Sequence, residues 1–246
     1  MPGMNPIAHI RTDLPQKFGI PRNGSLAPHL RGQIRFEPEY ASVAAVAGLG
    51  EFSHLWLLWQ FENGLAGGAA ADVSADAAAV PAGAADPKWR PTVRPLRLGG
   101  EERVGVFATR SPFRPNPIGL TCVRLDRIEL SEDGPVIHVL GADLRDGTPI
   151  YDIKPYIPFA DCHPDATGGW IERAPWHELE VNFPPALLSL VPAEKAEGLI
   201  EVLRQDPRRA GSKYEPERVY HLAYAGLDVS FTVDGDALSV VGVASA

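Results

Sequence analysis

The chain has 246 residues, 45% of them hydrophobic and 22% charged, close to the average for soluble globular proteins and far from the low hydrophobicity of disordered chains. Its net charge of −8 excludes a molecule coated in basic residues for non-specific nucleic-acid or membrane binding, so any nucleic-acid surface must be local. Two cysteines without a CxxC pair, Cys122 and Cys162, suit a reducing cytosol, and seven scattered histidines without ligand spacing point to no metal. The first residues carry no basic stretch followed by an apolar run, and no apolar segment reaches the roughly 18 residues of a membrane span. The expectation is a cytoplasmic protein with no membrane contact.

Short apolar runs of strand type dominate the first two-thirds: Gln33–Phe36, His54–Phe61, Arg103–Thr109, Ile118–Ile128, Val136–Leu144 and Thr148–Ile153. Turns rich in Gly, Pro and Asp separate them. Only one helix is predicted here, over Pro38–Val46, where Tyr40, Val43, Ala44 and Ala47 share a face. Without regular helix alternation a doubly wound parallel sheet is disfavoured, and a mainly β, single-sheeted antiparallel barrel fits better.

Between the strand ending near Phe61 and the basic stretch from Lys88 lies Gly64–Pro87, 24 residues with eleven Ala, four Gly and no Lys or Arg. Gly67, Gly68, Pro81 and Gly83 interrupt any helix there and no apolar stripe would dock one, so this insertion is predicted to be a surface loop without a packed fold. From Lys88 to Arg114 seven basic residues face two acidic ones, a local charge of 7 − 2 = +5. After Trp176 the pattern changes to a strand (Leu179–Phe183), two helices (Ala186–Leu190, Ala193–Arg204) and three strands (Val219–Tyr224, Val229–Val233, Leu238–Val243). That reads as a small C-terminal α+β domain, 171–246, appended to a barrel domain, 1–170.

The densest chemical signal is the stretch Gly105–Leu120, where an apolar run enters a loop with three prolines and the next strand follows at once. Proline stiffens the backbone, so Arg110, Ser111, Arg114 and Asn116 are polar groups held on a rigid loop at the mouth of a sheet, as a preorganised site requires. A polyproline-type ligand motif or an ordinary Pro-rich turn is the competing reading of the same residues. In the second constellation, Asp143–Asp161, alternation sets Asp152 and Lys154 on the face opposite Ile153, either as a surface ion pair or as a pair aimed into one cleft.

The strings ATRSPFRPNPIGL (Ala108–Leu120) and DGTPIYDIKPYIPFAD (Asp146–Asp161) resemble the two signature blocks of the TrmO family, also called TsaA-like or YaeB-like. Further matching blocks are KFGIPR (Lys17–Arg22), FSHLW (Phe52–Trp56), and WRPTVRP (Trp89–Pro95) with RLGG (Arg97–Gly100); the C-terminal unit matches weakly through QDPR (Gln205–Arg208). The resemblance implies a β-barrel that binds S-adenosylmethionine, works as a homodimer, and methylates the exocyclic N6 amine of threonylcarbamoyl-adenosine next to the anticodon of tRNA. Carried over by position, the cofactor contacts fall on Gly24, Ser25, Leu26, Glu62, Asn63, Arg110, Leu120, Leu140, Gly141, Ala142 and Asp143. Glu62-Asn63 stands where similar members carry His-Gln, and the Ala-rich insertion follows it.

Methyl transfer to that amine needs the nitrogen and the methyl held in near-attack geometry and an acceptor for the amine proton. Asn116, Asp143 and Asp152 are the candidate acceptors, and Arg114 and Lys154 suit the carboxylate of the threonyl group, Arg through its bidentate fork. Phe113 and Tyr156 are candidates to stack on a base extruded from the anticodon loop. Arg208, Arg209 and Lys213, just beyond a helix end, are expected to reach tRNA phosphates. Two other readings stand beside this one: a non-catalytic RNA-binding barrel, and a methyltransferase for another small acceptor.

Overall fold

The computed structural model describes residues 4–61, 90–95, 102–174, 177–208 and 214–246. The predicted loop at 64–87, the candidates Glu62 and Asn63, and the candidates Arg209 and Lys213 lie outside them.

Six strands close into an antiparallel barrel: β1 (Ala8–Thr12), β2 (Arg31–Phe36), β3 (His54–Gln60), β6 (Ile118–Ser131), β7 (Gly134–Leu140) and β8 (Pro149–Pro155), in the order β1-β2-β7-β6-β3-β8. Closure by β1 against β8 removes the exposed edges that an open sheet would present. Inward positions are filled by Ala8, Ile10, Ile34, Leu55, Leu57, Val123, Ile137, Val139 and Ile150, the alternate residues that a period of two sends to one face. The barrel expected from the short alternating runs is therefore the fold observed.

Three predicted elements differ. The helix expected over Pro38–Val46 is a chain of turns ending in a single 3-10 turn, Val43–Val46. Only Val46 of that turn is buried, so no apolar face was available to hold a longer helix. The strand expected over Arg103–Thr109 shrinks to β5 (Val104–Gly105), paired with β4 (Thr92–Val93) in a small ribbon, and a 3-10 turn over Val106–Ala108 follows. There Val106 is buried while Phe107 is 72% exposed, and pairing stops where the partner strand ends. The strand expected to run to Leu144 stops at Leu140, because Gly141 takes φ +77° and turns the chain. β1 was not predicted at all.

The C-terminal unit comprises β9 (Glu180–Asn182), α2 (Pro185–Leu188), α3 (Ala193–Arg204), β10 (Tyr220–Tyr224), β11 (Leu227–Asp234) and β12 (Ala237–Ser245), with α1 (Pro158–Asp161) in the connection before it. Its sheet runs β10-β11-β12-β9, and α3 covers one face with Leu199, Val202 and Leu203. This core is not its own alone: Leu14, Ala27 and Leu30 from the first thirty residues are buried in the same cluster as Leu222, Tyr224, Phe231 and Leu238. Lys195 on α3 meets Asp13 at 2.5 Å, and the Tyr224 hydroxyl donates to the Lys195 carbonyl at 3.1 Å. The appendage is thus built into the barrel's opening segment.

Candidate active site

Two backbone segments touch at one end of the barrel. Asn23 caps a 3-10 turn over Gly24–Leu26, its side chain accepting from the Ser25 amide at 3.0 Å. Across from it the chain leaving β7 turns at Gly141, and a Cβ on Gly24 would sit 2.0 Å from the Gly141 carbonyl oxygen. Only glycine permits that approach. Leu30, just past the turn, fixes the second segment by accepting from the amides of Gly141 (2.8 Å) and Ala142 (3.3 Å). Gly24, Ser25, Leu26, Leu140, Gly141, Ala142 and Asp143 are therefore brought into one cradle, although 113 residues lie between its halves in sequence (27 to 139).

Asp143 closes the cradle. Burial pushes its carboxyl up from 3.8 to about 6, against the Thr121 hydroxyl, its own and the Gly24 backbone, and the charge of Arg110, all of which favour the ionised form. One of its oxygens, Oδ1, is buried without a hydrogen-bond partner among the described residues. A buried acceptor left unmade costs free energy, and a donor brought by a ligand would remove that cost. Thr121 in turn accepts from Trp59 Nε1 at 3.1 Å, and the Trp59 ring lies where a Cβ on Gly119 would fall, 2.2 Å away. Trp59, Gly119 and Thr121 were not among the predicted site residues. Pairing the alternation of β3 with that of β6 would have found them, since Trp59 pairs with Gly119 and Leu57 with Thr121 on the inner face.

The Pro-rich loop is braced by its own hydrogen bonds. Thr109 bonds to Val106, Ser111 N to Thr109 Oγ1, Phe113 N to Ser111 Oγ, and the Ile118 amide to the Asn116 carbonyl at 2.7 Å. The Trp170 indole donates to the Ala108 carbonyl at 2.8 Å, tying the connection between the two units to the same loop. Arg110 and Asn116 are exposed. Arg114 is half-buried and gives one N–H to the Thr109 carbonyl at 3.1 Å, so part of its fork holds the loop itself. The Phe113 ring carries the Arg90 guanidinium over one face at 5.5 Å.

Asp152 and Lys154 share the face opposite Ile153, as alternation predicts. Pairing of β8 with β3 shifts between Leu58 and Trp59, and Tyr151 is the extra residue. This bulge lets both Ile150 and Ile153 point inward, as alternation alone cannot, and turns Asp152 and Lys154 to the outer face, where they pair at 2.8 Å. Rows across the outer wall read Leu120–Leu58–Asp152 and Cys122–Trp56–Lys154. Tyr156 follows, its ring 5.8 Å from Trp56 and 6.1 Å from His54. Within one chain, then, the barrel wall separates Asp152, Lys154 and Leu120 from Thr121 inside it. Tyr156 lies beside His54, at the end of β3 away from the loop of Phe113. The other end of β3 adjoins that loop, where the Phe61 amide donates to the Pro117 carbonyl at 2.9 Å.

Arg208 also departs from expectation. Its guanidinium is folded back on Asp206 through two bonds of 2.8 and 2.9 Å and is 15% exposed, so it is not splayed towards a phosphate backbone.

Comparison with known proteins now fits this geometry. The family model described as the tRNA-methyltransferase O N-terminal domain matches residues 9–162, and the TrmO C-terminal domain matches residues 177–246. A protein of Escherichia coli K12 named tRNA (adenine(37)-N6)-methyltransferase is 40% identical over 215 residues, 85% of this chain and 83% of that one. A Pseudomonas aeruginosa protein described as a candidate S-adenosylmethionine-dependent methyltransferase, RcsF, is 38% identical over 232 residues, 92% of this chain and 90% of that one. A solved structure titled as the crystal structure of TrmO superposes with a TM-score of 0.73 at 33% identity, covering 99% of both chains. With both units matched in order over nearly the whole length, the chain belongs to the TrmO family.

Proposed function

We propose that this protein transfers a methyl group from S-adenosylmethionine to the N6 amine of threonylcarbamoyl-adenosine beside the anticodon of tRNA. The observation that carries the reading is the glycine cradle with an unpartnered carboxylate oxygen at its floor. The cradle suits the cofactor chemically: Asp143, ionised above about pH 6 and with one buried oxygen unpartnered, suits an ammonium or hydroxyl donor. When bound, S-adenosylmethionine supplies a methyl group on a cationic sulfur. The chain's own part is positioning. Against the burial that raises the Asp143 pKa, the Thr121 hydroxyl and the charge of Arg110 favour the carboxylate, and the Trp59–Thr121 bond holds that hydroxyl in place. Asn116, exposed on the rigid loop, offers its amide oxygen to the amine proton, and Arg114 offers its remaining N–H groups to the threonyl carboxylate.

The protein works as a homodimer in this proposal, and in the cytoplasm. The outer wall around β3, β6 and β8 carries exposed apolar side chains, Ile118 and Leu120 among them, and Phe159 just beyond β8 is 91% exposed. A second copy seated there would cover them and would bring Asp152, Lys154 and Tyr156 of one chain towards the cradle of the other. Among the described residues no helix is long and apolar enough to cross a membrane. RNA binding falls chiefly to the basic stretch that includes Arg90, Arg94, Arg103, Arg110 and Arg114.

Incubation with labelled S-adenosylmethionine and tRNA, with and without the threonylcarbamoyl group, tests the reading. Transfer to modified tRNA alone is expected. Cofactor binding without transfer to any tRNA would favour another acceptor, and RNA binding without cofactor binding would leave a non-catalytic barrel.

A further inference from the structure

The cradle is anchored from outside the barrel. Its first segment runs Gly24–Leu26, and the next residues enter the C-terminal core, with Ala27 fully buried and Leu30 1% exposed among α3 and the β10–β12 strands. Between them stands His29, held twice by one side chain of α3: Glu201 Oε2 accepts from the His29 backbone amide at 2.9 Å, and Glu201 Oε1 meets His29 Nδ1 at 2.6 Å. A carboxylate only accepts, so Nδ1 carries the proton. The Glu201 side chain is 9% exposed, and both its oxygens are committed to this one residue. One turn earlier on α3, Gly198 lies under the same segment, where a Cβ would come within 3.2 Å of the His29 carbonyl. Leu30, the following residue, is the acceptor for the Gly141 and Ala142 amides. A continuous path of bonds thus joins Glu201 to both halves of the cradle.

We propose that Glu201 is a positioning residue for the cofactor, through which the C-terminal unit sets the spacing between the Gly24 turn and Gly141. The proposal rests on reading that cradle as the S-adenosylmethionine site. Nothing of Glu201 reaches the cradle itself; it fixes His29, and His29 fixes the register of Leu30 against Gly141. Two charge-assisted bonds from a buried carboxylate are stronger than ordinary ones, so losing the charge loosens the segment even where the shape is kept. The cost falls on binding of the cofactor, because an unset cradle must be ordered when the cofactor arrives.

Glu201→Gln in the full chain is the test, with cofactor affinity measured by calorimetry without tRNA, and turnover measured with modified tRNA. The dissociation constant for S-adenosylmethionine is expected to rise about fivefold or more, with kcat at saturating cofactor and the affinity for tRNA unchanged. Hydrogen exchange at the Gly141 and Ala142 amides should quicken in the free protein, a change that does not depend on the cofactor. His29→Ala, which keeps the backbone bond and loses only the ring bond, should show a smaller rise and guards against a glutamine variant that fails to fold. A melting temperature lowered by Glu201→Gln, with cofactor affinity and amide exchange as in the unaltered chain, would reduce Glu201 to a structural residue and overturn the proposal. If the unaltered chain itself binds no S-adenosylmethionine, the site reading falls, and this proposal with it.

Discussion

Asp143→Asn tests the electrostatics of the cradle directly. The native chain holds the Asp143 proton up to about pH 6, whereas the ordinary value is 3.8. Between those values the folded state binds more protons than the unfolded one, so the stability contributed by this site falls as pH rises and levels off above about 6. The full gap corresponds to about 3 kcal/mol at pH 8, the cost of keeping a charge in a buried place. Asparagine does not titrate. Relative to the unaltered chain, the variant should therefore gain about 1.4 kcal/mol of stability between pH 5 and pH 8, whatever fixed loss its amide suffers against Thr121. Urea unfolding at the two pH values measures this as a double difference. The same variant should bind S-adenosylmethionine far more weakly, and the unaltered chain's affinity should itself fall by up to about tenfold per pH unit below 6 as Asp143 protonates. A stability difference that is the same at both pH values would refute the buried charge, and with it the claim that the carboxylate awaits a donor.

Other substitutions probe the remaining parts. Gly24→Ala drives a methyl group against the Gly141 carbonyl, so it should cost about 1–3 kcal/mol and abolish cofactor binding; a variant of native stability and affinity would show that the segments do not touch. Asn116→Ala, exposed and without a packing role, should cut kcat strongly with the melting temperature unchanged, and near-normal turnover would remove the loop from the chemistry. Arg208→Ala should lower the melting temperature while leaving the slope of log tRNA affinity against log salt as it was, since its guanidinium is spent on Asp206. A slope reduced by about 0.7–0.9 would mean that it contacts phosphate after all.

How much of this was legible in sequence depends on the range of the interaction. The strands of the barrel other than β1 followed from short apolar runs, and α3 was expected with the bounds observed, Ala193–Arg204. Both are decided within a few residues. The turn at Gly141 ended β7 earlier than its apolar run suggested, because the chain there answers to Gly24 and Leu30, over a hundred residues away. The bulge at Tyr151 was equally hidden: nothing local says that Ile150 and Ile153 both face inward until β3 is laid beside them. Of the site, the cradle residues came from resemblance, not from pattern. Thr121 and Trp59 were missed because each is unremarkable until its strand partner is known. Arg208 was misjudged since a basic residue beyond a helix end looks free, but Asp206, at φ +49°, bends back to meet it.

The burial of Leu14, Ala27 and Leu30 under the last strands has a consequence for the chain's birth on the ribosome. The barrel's strands are complete once Pro155 has emerged, and from then on it can close. Its opening segment, however, carries apolar side chains whose covering ends only with β12, near Val243. At roughly 5–20 residues per second, those side chains stay uncovered for several seconds on a nascent chain that is otherwise ready to fold. A chain cut short before α3 would be a closed barrel with a sticky mouth, and its cradle would lack Glu201, the anchor.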